Sequence, residues 1–152
     1  MLTNNGKAYL LPTKIMASGD YPAIRVKLGT GVAVTKNGSE INGIPHVYLG
    51  TGSTPASATD TELTRITTLT LVNEEATEGT STGRSYEDRQ ISAYTATYRN
   101  DTEDTITVAE VGVAIRFNSL SYENGYALLS RDVINPVAIA PGKTYAFSVV
   151  WG

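Results

Sequence analysis

Two stretches in the last third of the chain alternate so regularly that local structure there has little freedom. In ITVAEVGVAIRF, from Ile106 to Phe117, the residues Ala109, Val111, Val113, Ile115 and Phe117 share one parity; Glu110, Gly112, Ala114 and Arg116 share the other. In TYAFSVVW the residues Tyr145, Phe147, Val149 and Trp151 alternate with Thr144, Ala146, Ser148 and Val150. A period of two separates side chains onto opposite faces only when the chain is extended. Both stretches are therefore expected as strands with one apolar and one wetter face. The whole span Ile106 to Trp151 is expected to form one antiparallel unit, with the remaining strands packed against it. Asn124-Gly125, Asn135-Pro136 and Pro141-Gly142 fall between the alternating runs and are expected turns, since these residues supply positive φ or fix φ for a bend.

Upstream the same signs recur. AIRVKLG sets Ile24, Val26 and Leu28 against Arg25 and Lys27, and VAVT follows the strand-end turn Gly29-Thr30-Gly31. Asn37-Gly38, between VAVT and EINGIPHVYLG, predicts a hairpin, because a type I′ turn needs two residues of positive φ. Asn42-Gly43 predicts a second bend before Pro45. TRITTLTLV reads as a strand with Leu69 and Leu71 opposite Ile66, Thr68 and Thr70; ISAYTATYR reads as one with Tyr94 and Tyr98 on a common face. Gly50 to Glu62, GTGSTPASATDTE, has no periodicity and is expected as an exposed connection of the length that usually serves function or an interface. Thr59 to Leu63 is expected as one helical turn capped by Thr59 or Asp60. Asn73 to Ser85 is expected as a solvent-exposed loop, and Asn100 to Asp104 as a turn. Near the start, Tyr9, Leu10 and Leu11 suit either a local edge strand, the simpler reading, or an arm within residues 1–20 that pairs with another subunit. The resulting expectation is all-β: one domain spanning 1–152, an antiparallel β-sandwich with a jelly roll among its admissible forms, and at most one short helical turn.

Composition narrows the function. A net charge of −3, with twelve basic residues scattered singly, does not suit nucleic acid, which needs clustered Lys and Arg against phosphate. There is no cysteine, so disulfides, thiolate metal sites and a cysteine nucleophile are excluded. No apolar run reaches the ~20 residues of a membrane-spanning helix, and MLTNNGKAYLLPTKIM lacks the basic start and apolar centre of an export signal. Synthesis in a cytoplasm, without membrane association, is expected.

The candidate chemical residues each have a plainer reading. His46, the single histidine, sits in IPHVYLG at a strand entry with no serine or carboxylate signature beside it. Asp101, Glu103 and Asp104 cluster in the manner of calcium ligands, yet lack the glycine and distal glutamate of an EF-hand loop; a solvated turn is the better reading, and Glu74, Glu75 and Glu78 are read likewise. Glu110 is the one acid within a well-defined strand. Asp60 or Glu62 could approach it to make the carboxylate pair of a glycoside hydrolase, but a cross-strand arginine, Arg131 or Arg99, is the more natural partner. Gly29-Thr30-Gly31 and Gly50-Thr51-Gly52 lack the spacing and following helix of phosphate loops. The sequons at Asn37 and Asn100 read as chance matches at turns. Tyr86, Tyr94, Tyr98, Tyr122 and Tyr126 could offer rings to a sugar, although half-buried strand tyrosines are common. No catalytic, cofactor-binding or metal-binding residue is assigned.

Two stretches together resemble a family. VYLGTGSTPASATDTELTRI is followed by VAEVGVAIRF and YALLSRDVINPVAIAPGKTYAFSVVW, so that a G-T-G-x-T-P loop, an x-D-T-x-L turn, an E-x-G strand, an LL-x-R strand and PGKTYAF occur in that order. This order, over roughly residues 44–152, is similar to small structural proteins of tailed bacteriophage particles and to domains of their tail, baseplate and fibre proteins. The resemblance implies a β-sandwich that assembles into a virion with other virion proteins and carries no catalytic residues; it transfers no binding residue. A sandwich leaves open sheet edges, and pairing an edge with another subunit closes one, so a homo-oligomer is expected. Two further readings stand beside it: a carbohydrate-binding or adhesion module using Tyr86 and Tyr122, and a small hydrolase built on Glu110.

Overall fold

The alternating run Ile106–Phe117 is a strand, and it lies inside a sheet rather than at its edge. The computed structural model describes residues 1–9, 24–27, 32–35, 46–77, 93–117 and 125–150. In chain order the elements are α1 (Asn4–Tyr9), β1 (Ile24–Lys27), β2 (Val32–Thr35), β3 (His46–Gly50), β4 (Thr70–Thr77), β5 (Ala93–Arg99), β6 (Ile106–Phe117), β7 (Gly125–Ile139) and β8 (Thr144–Val150). The strands form a five-stranded sheet in the order β2-β1-β7-β6-β3 and a three-stranded sheet in the order β4-β5-β8. All named pairs are antiparallel. Val47, Leu49, Val113, Ile115 and Leu129 of the larger sheet meet Tyr94, Ala96, Phe147 and Val149 of the smaller one in a single buried cluster. The fold is therefore an all-β, two-sheet arrangement, as the alternation required. Among the described residues no helix is long and apolar enough to cross a membrane.

The expected wet face of β6 is not wet. Glu110 and Ala114 are both fully buried, and Gly112 is buried with them. A second apolar cluster of Tyr48, Leu63, Ala114, Tyr126 and Leu128 covers this face of the larger sheet, closed by Leu63 from the 51–69 segment. Register shifts occur between Val108 and Glu110 and between Val113 and Ala114, and at the first of them the parity of β6 is broken. A bulge adds an unpaired residue and turns the side chains beyond it to the other face. Val108 and Val111, three apart, accordingly share the inter-sheet core.

Several expectations are corrected. The span 106–151 is not one sheet: β6 and β7 form a hairpin, but β8 crosses to the smaller sheet and pairs with β5. The crossing is made at Pro141-Gly142, where Gly142 has φ +75 and Lys143 N–H donates to Ala140 O at 3.1 Å. Pro followed by a residue of positive φ is the type II pattern, so this turn is as expected. Asn135-Pro136 is not a turn but lies within β7, exposed, in the irregular stretch facing Ala109. Proline donates no N–H and is tolerated in a strand at such a bulge. β4 begins at Thr70 and runs to Thr77, so the expected strand at 64–72 is displaced and residues 73–77 are strand, not loop. Only Arg65 of the earlier part bridges, to Gly50. β2 and β3 stand at opposite edges of their sheet, so the expected hairpin does not join them; Asn37-Gly38 and Asn42-Gly43 lie outside the described residues, as do 78–85.

Residues 1–9 are docked on β7, and Tyr9 ends a short helix rather than an edge strand; residues 10–20, where the rest of the expected arm would run, lie outside the described residues. Leu2 bridges Ser130, Thr3 N–H donates to Leu129 O at 2.9 Å, and the chain then turns into α1. Thr3 caps that helix, its hydroxyl accepting from Gly6 N–H at 3.1 Å while donating to Leu128 O at 2.6 Å. A methyl group on Gly6 would overlap the Leu129 carbonyl, so the glycine that looks like a turn signal is here a close-approach residue. Leu10 and Leu11 lie outside the described residues. The helical turn expected at Thr59 to Leu63 is absent. Asp60 N–H closes a tight turn onto Ser57 O at 3.1 Å, and the Asp60 carboxylate is used elsewhere.

Candidate functional site

The polar residues singled out around Glu110 meet in one place. Gly50 stands opposite Glu110 in the β3–β6 register, and Arg131 stands opposite Gly112 in the β6–β7 register. Glu110 and Arg131 are thereby carried on adjacent strands beneath the 51–64 segment. Arg131 Nε donates to Glu110 Oε2 at 2.6 Å, its NH1 to Asp60 Oδ2 at 2.9 Å, and its NH2 to Thr54 O at 3.0 Å. Glu110 Oε1 accepts from Gly52 N–H at 3.0 Å and Thr64 N–H at 2.5 Å. Asp60 Oδ2 also accepts from Ser57 N–H at 2.8 Å. Both ends of the segment are thus bound to one carboxylate, and its middle is bound to one guanidinium.

Glycines make room for this. A Cβ on Gly52 would lie 2.6–2.7 Å from the Glu110 carboxylate, and one on Gly50 would overlap it too. One on Gly112 would lie 2.5 Å from Leu63 Cδ2. The G-T-G pair of glycines admits the Glu110 side chain, and the glycine of E-x-G admits the leucine of D-T-x-L. All three are close-approach residues.

Electrostatically the cluster is closed. The Glu110 side chain is 0% exposed and that of Arg131 is 5% exposed. Burial opposes the Arg131 charge, but the Glu110 and Asp60 carboxylates outweigh it and hold the guanidinium above its ordinary value. A hydrolytic acid or base must reach a substrate and exchange a proton. Glu110 would have to break a buried ion pair to do either, so the arrangement acts as a structural tie. The cross-strand arginine expected for Glu110 is Arg131; Arg99 instead pairs with Asp101 at 2.5 Å.

A second polar group closes the outer edge of β3. Val47 N–H donates to Glu74 Oε1 at 2.8 Å, and Val47 O accepts the Tyr98 hydroxyl at 2.7 Å. His46 Nδ1 lies 2.7 Å from Glu74 Oε2, which gives His46 a structural role near the surface. Burial first, and then the nearby Glu74 charge, push the Tyr98 phenol up to about 12. Arg65 lies over the Tyr48 ring at 4.2 Å, at the mouth of a shallow pocket of about 310 Å³ that also borders His46, Glu74 and Tyr98.

The remaining candidates separate. Asn100 is fully buried, donating to Asp104 O at 2.7 Å and Ile139 O at 2.8 Å and accepting from Thr102 N–H at 2.9 Å. A side-chain amide so engaged is no acceptor for a glycan, and it orders the 100–104 turn. Among the described residues no group of three His, Cys, Asp or Glu could hold a metal ion. Tyr94 and Tyr126 are buried, and Tyr86 and Tyr122 lie outside the described residues. Thr54 and Leu63 enter the sequence reading only as members of the G-T-G-x-T-P and x-D-T-x-L motifs, with no role assigned. Thr54 acts partly through its backbone, and Leu63 owes its role to a notch at a residue 49 positions away, so neither role leaves a local signal. No family model, no curated protein and no solved structure matches this chain.

Proposed function

We propose that this protein is a non-enzymatic structural component of a tailed-bacteriophage particle, made in the host cytoplasm and incorporated into the virion. A place in the tail, baseplate or fibre attachment is favoured over capsid decoration. One observation carries the reading. The G-T-G, D-T-x-L, E-x-G and LL-x-R motifs, on which the likeness to phage structural proteins rests, converge on a single tie around Glu110 and Arg131. Their polar groups bind one another, which suits motifs that hold a surface loop in place rather than act on a substrate. A rigid exposed loop on a two-sheet scaffold is the kind of surface through which a subunit contacts its neighbours.

Negative-stain microscopy of particles from the phage that encodes the chain, with a labelled antibody against it, tests the proposal. Label at the tail or baseplate is expected. Purified particles that carry no label anywhere would overturn it.

A further inference from the structure

The two sheets end differently at their edges. β3 is closed by Glu74, Tyr98 and the Arg65 bridge. β4 carries Glu74 and Glu75 and a register break after Leu71. The outer edge of β7 receives β1 at Tyr126 and the N-terminal segment at Ser130. β8 has none of these devices. TYAFSVV contains no charge and no proline, and it pairs with β5 without a break from Val150 to Thr144. Among the described residues nothing pairs with its other side. Soluble proteins blunt such flat, uncharged edges unless the edge is used.

We infer that β8 is a self-association edge, pairing antiparallel with β8 of a second copy about a two-fold axis. The inference rests on the assembly reading above and names the strand and the partner. A second copy fits because the strand is neutral: two copies oppose no like charges, and a strongly charged partner strand would find no counter-charge on β8. Shape agrees. Beside β8 lies a cleft of about 460 Å³ whose apolar wall is Val111, Ile134, Val137, Phe147 and Val149, with Asp132 and Asn135 also lining it. Tyr145 stands at its mouth, 46% exposed, with its ring 4.9 Å from that of Phe147. In a pairing centred on Phe147, each Tyr145 faces Val149 of the other copy on the core side, so its ring covers apolar wall now open to water. The joined sheet reads β4-β5-β8-β8-β5-β4, and the interface is isologous, as two-fold symmetry demands.

The absence of cysteine makes the test clean. Ala146 and Ser148 are exposed on the outer face of β8 and would stand opposite one another across the axis. The Ala146→Cys/Ser148→Cys variant is expected to cross-link into a covalent dimer on mild oxidation. Light scattering and sedimentation should show a concentration-dependent dimer of the unmodified chain. Ala146→Lys/Ser148→Lys should weaken it by about tenfold or more, as like charges opposed across paired strands do, with the circular dichroism of the monomer unchanged. Association that neither pair of substitutions alters would overturn the β8 assignment while leaving assembly standing. A chain that stays monomeric and does not cross-link, or whose β8 amides are all protected from exchange as a monomer, would overturn it as well. The proposed place in the virion would then stand or fall on the antibody label alone.

Discussion

Replacing Arg131 with methionine is the most direct challenge to the tie. The substitution keeps much of the volume and removes the donors that reach Glu110 Oε2 at 2.6 Å, Asp60 Oδ2 at 2.9 Å and Thr54 O at 3.0 Å. What remains is a carboxylate with 0% exposure and no counter-charge. Breaking a buried pair in this way costs roughly 3–5 kcal/mol, against about 5–15 kcal/mol for the whole stability of an ordinary domain. At about 2–4 °C per kcal/mol for a domain of this size, the melting temperature should fall by roughly 6–20 °C. The second half of the test is Glu110→Gln in the same background. Glutamine keeps an oxygen for Gly52 N–H and Thr64 N–H but removes the stranded charge, so the double variant should recover at least about 1.5 kcal/mol relative to additivity. Urea unfolding followed by circular dichroism gives these numbers, and limited proteolysis within residues 51–62 should accelerate in Arg131→Met alone. A cost below about 1 kcal/mol for Arg131→Met, or strict additivity in the cycle, would refute the view that a buried ion pair holds the loop.

Other consequences are sharper in sign than in size. Asn100→Ala leaves the Asp104 and Ile139 carbonyls and the Thr102 N–H without their partner, and should cost about 2–4 kcal/mol in thermal unfolding. Gly52→Ala should cost about 1–3 kcal/mol by crowding the Glu110 carboxylate. Gly142→Ala, with nothing within 4 Å of the new methyl but φ +75, should cost only about 1 kcal/mol of backbone strain, and Gly142→Asn less. The Tyr98 phenol is raised in the folded state from 10.0 to about 12. Its stabilisation is therefore present in full below pH 10 and is lost as pH rises from 10 towards 12. Tyr98→Phe should be less stable at neutral pH, should lack this part of the alkaline loss, and should remove one phenol from the late part of the phenolate absorbance titration.

The strands were legible in the sequence wherever one face met solvent and the other met the core. β5 and β8 show this plainly, with Tyr94, Phe147 and Val149 buried and Thr144 and Ser148 exposed. The turn at Pro141-Gly142 was legible because its φ requirement is local. Arg131 as the partner of Glu110 was legible as one of two choices, since a lone acid in a strand needs a cation within reach. Asn135-Pro136 misled, because it sits where a strand irregularity uses its geometry for something other than a turn.

Local backbone geometry sets the period of a strand, so the sequence alone determined that this chain would be built from strands, and roughly where several of them run. It could not determine partners. The bulges in β6 and β7, the crossing of β8 to the second sheet, and the docking of the 51–64 segment over Glu110 all depend on contacts between residues tens of positions apart. Those contacts turned the supposed wet face of β6 into a second buried layer. They made two acids and an arginine into a clamp and, among the described residues, they left β8 as an open edge. Only the tertiary structure decides such matters, because burial and pairing are properties of what lies opposite a residue and not of the residue itself.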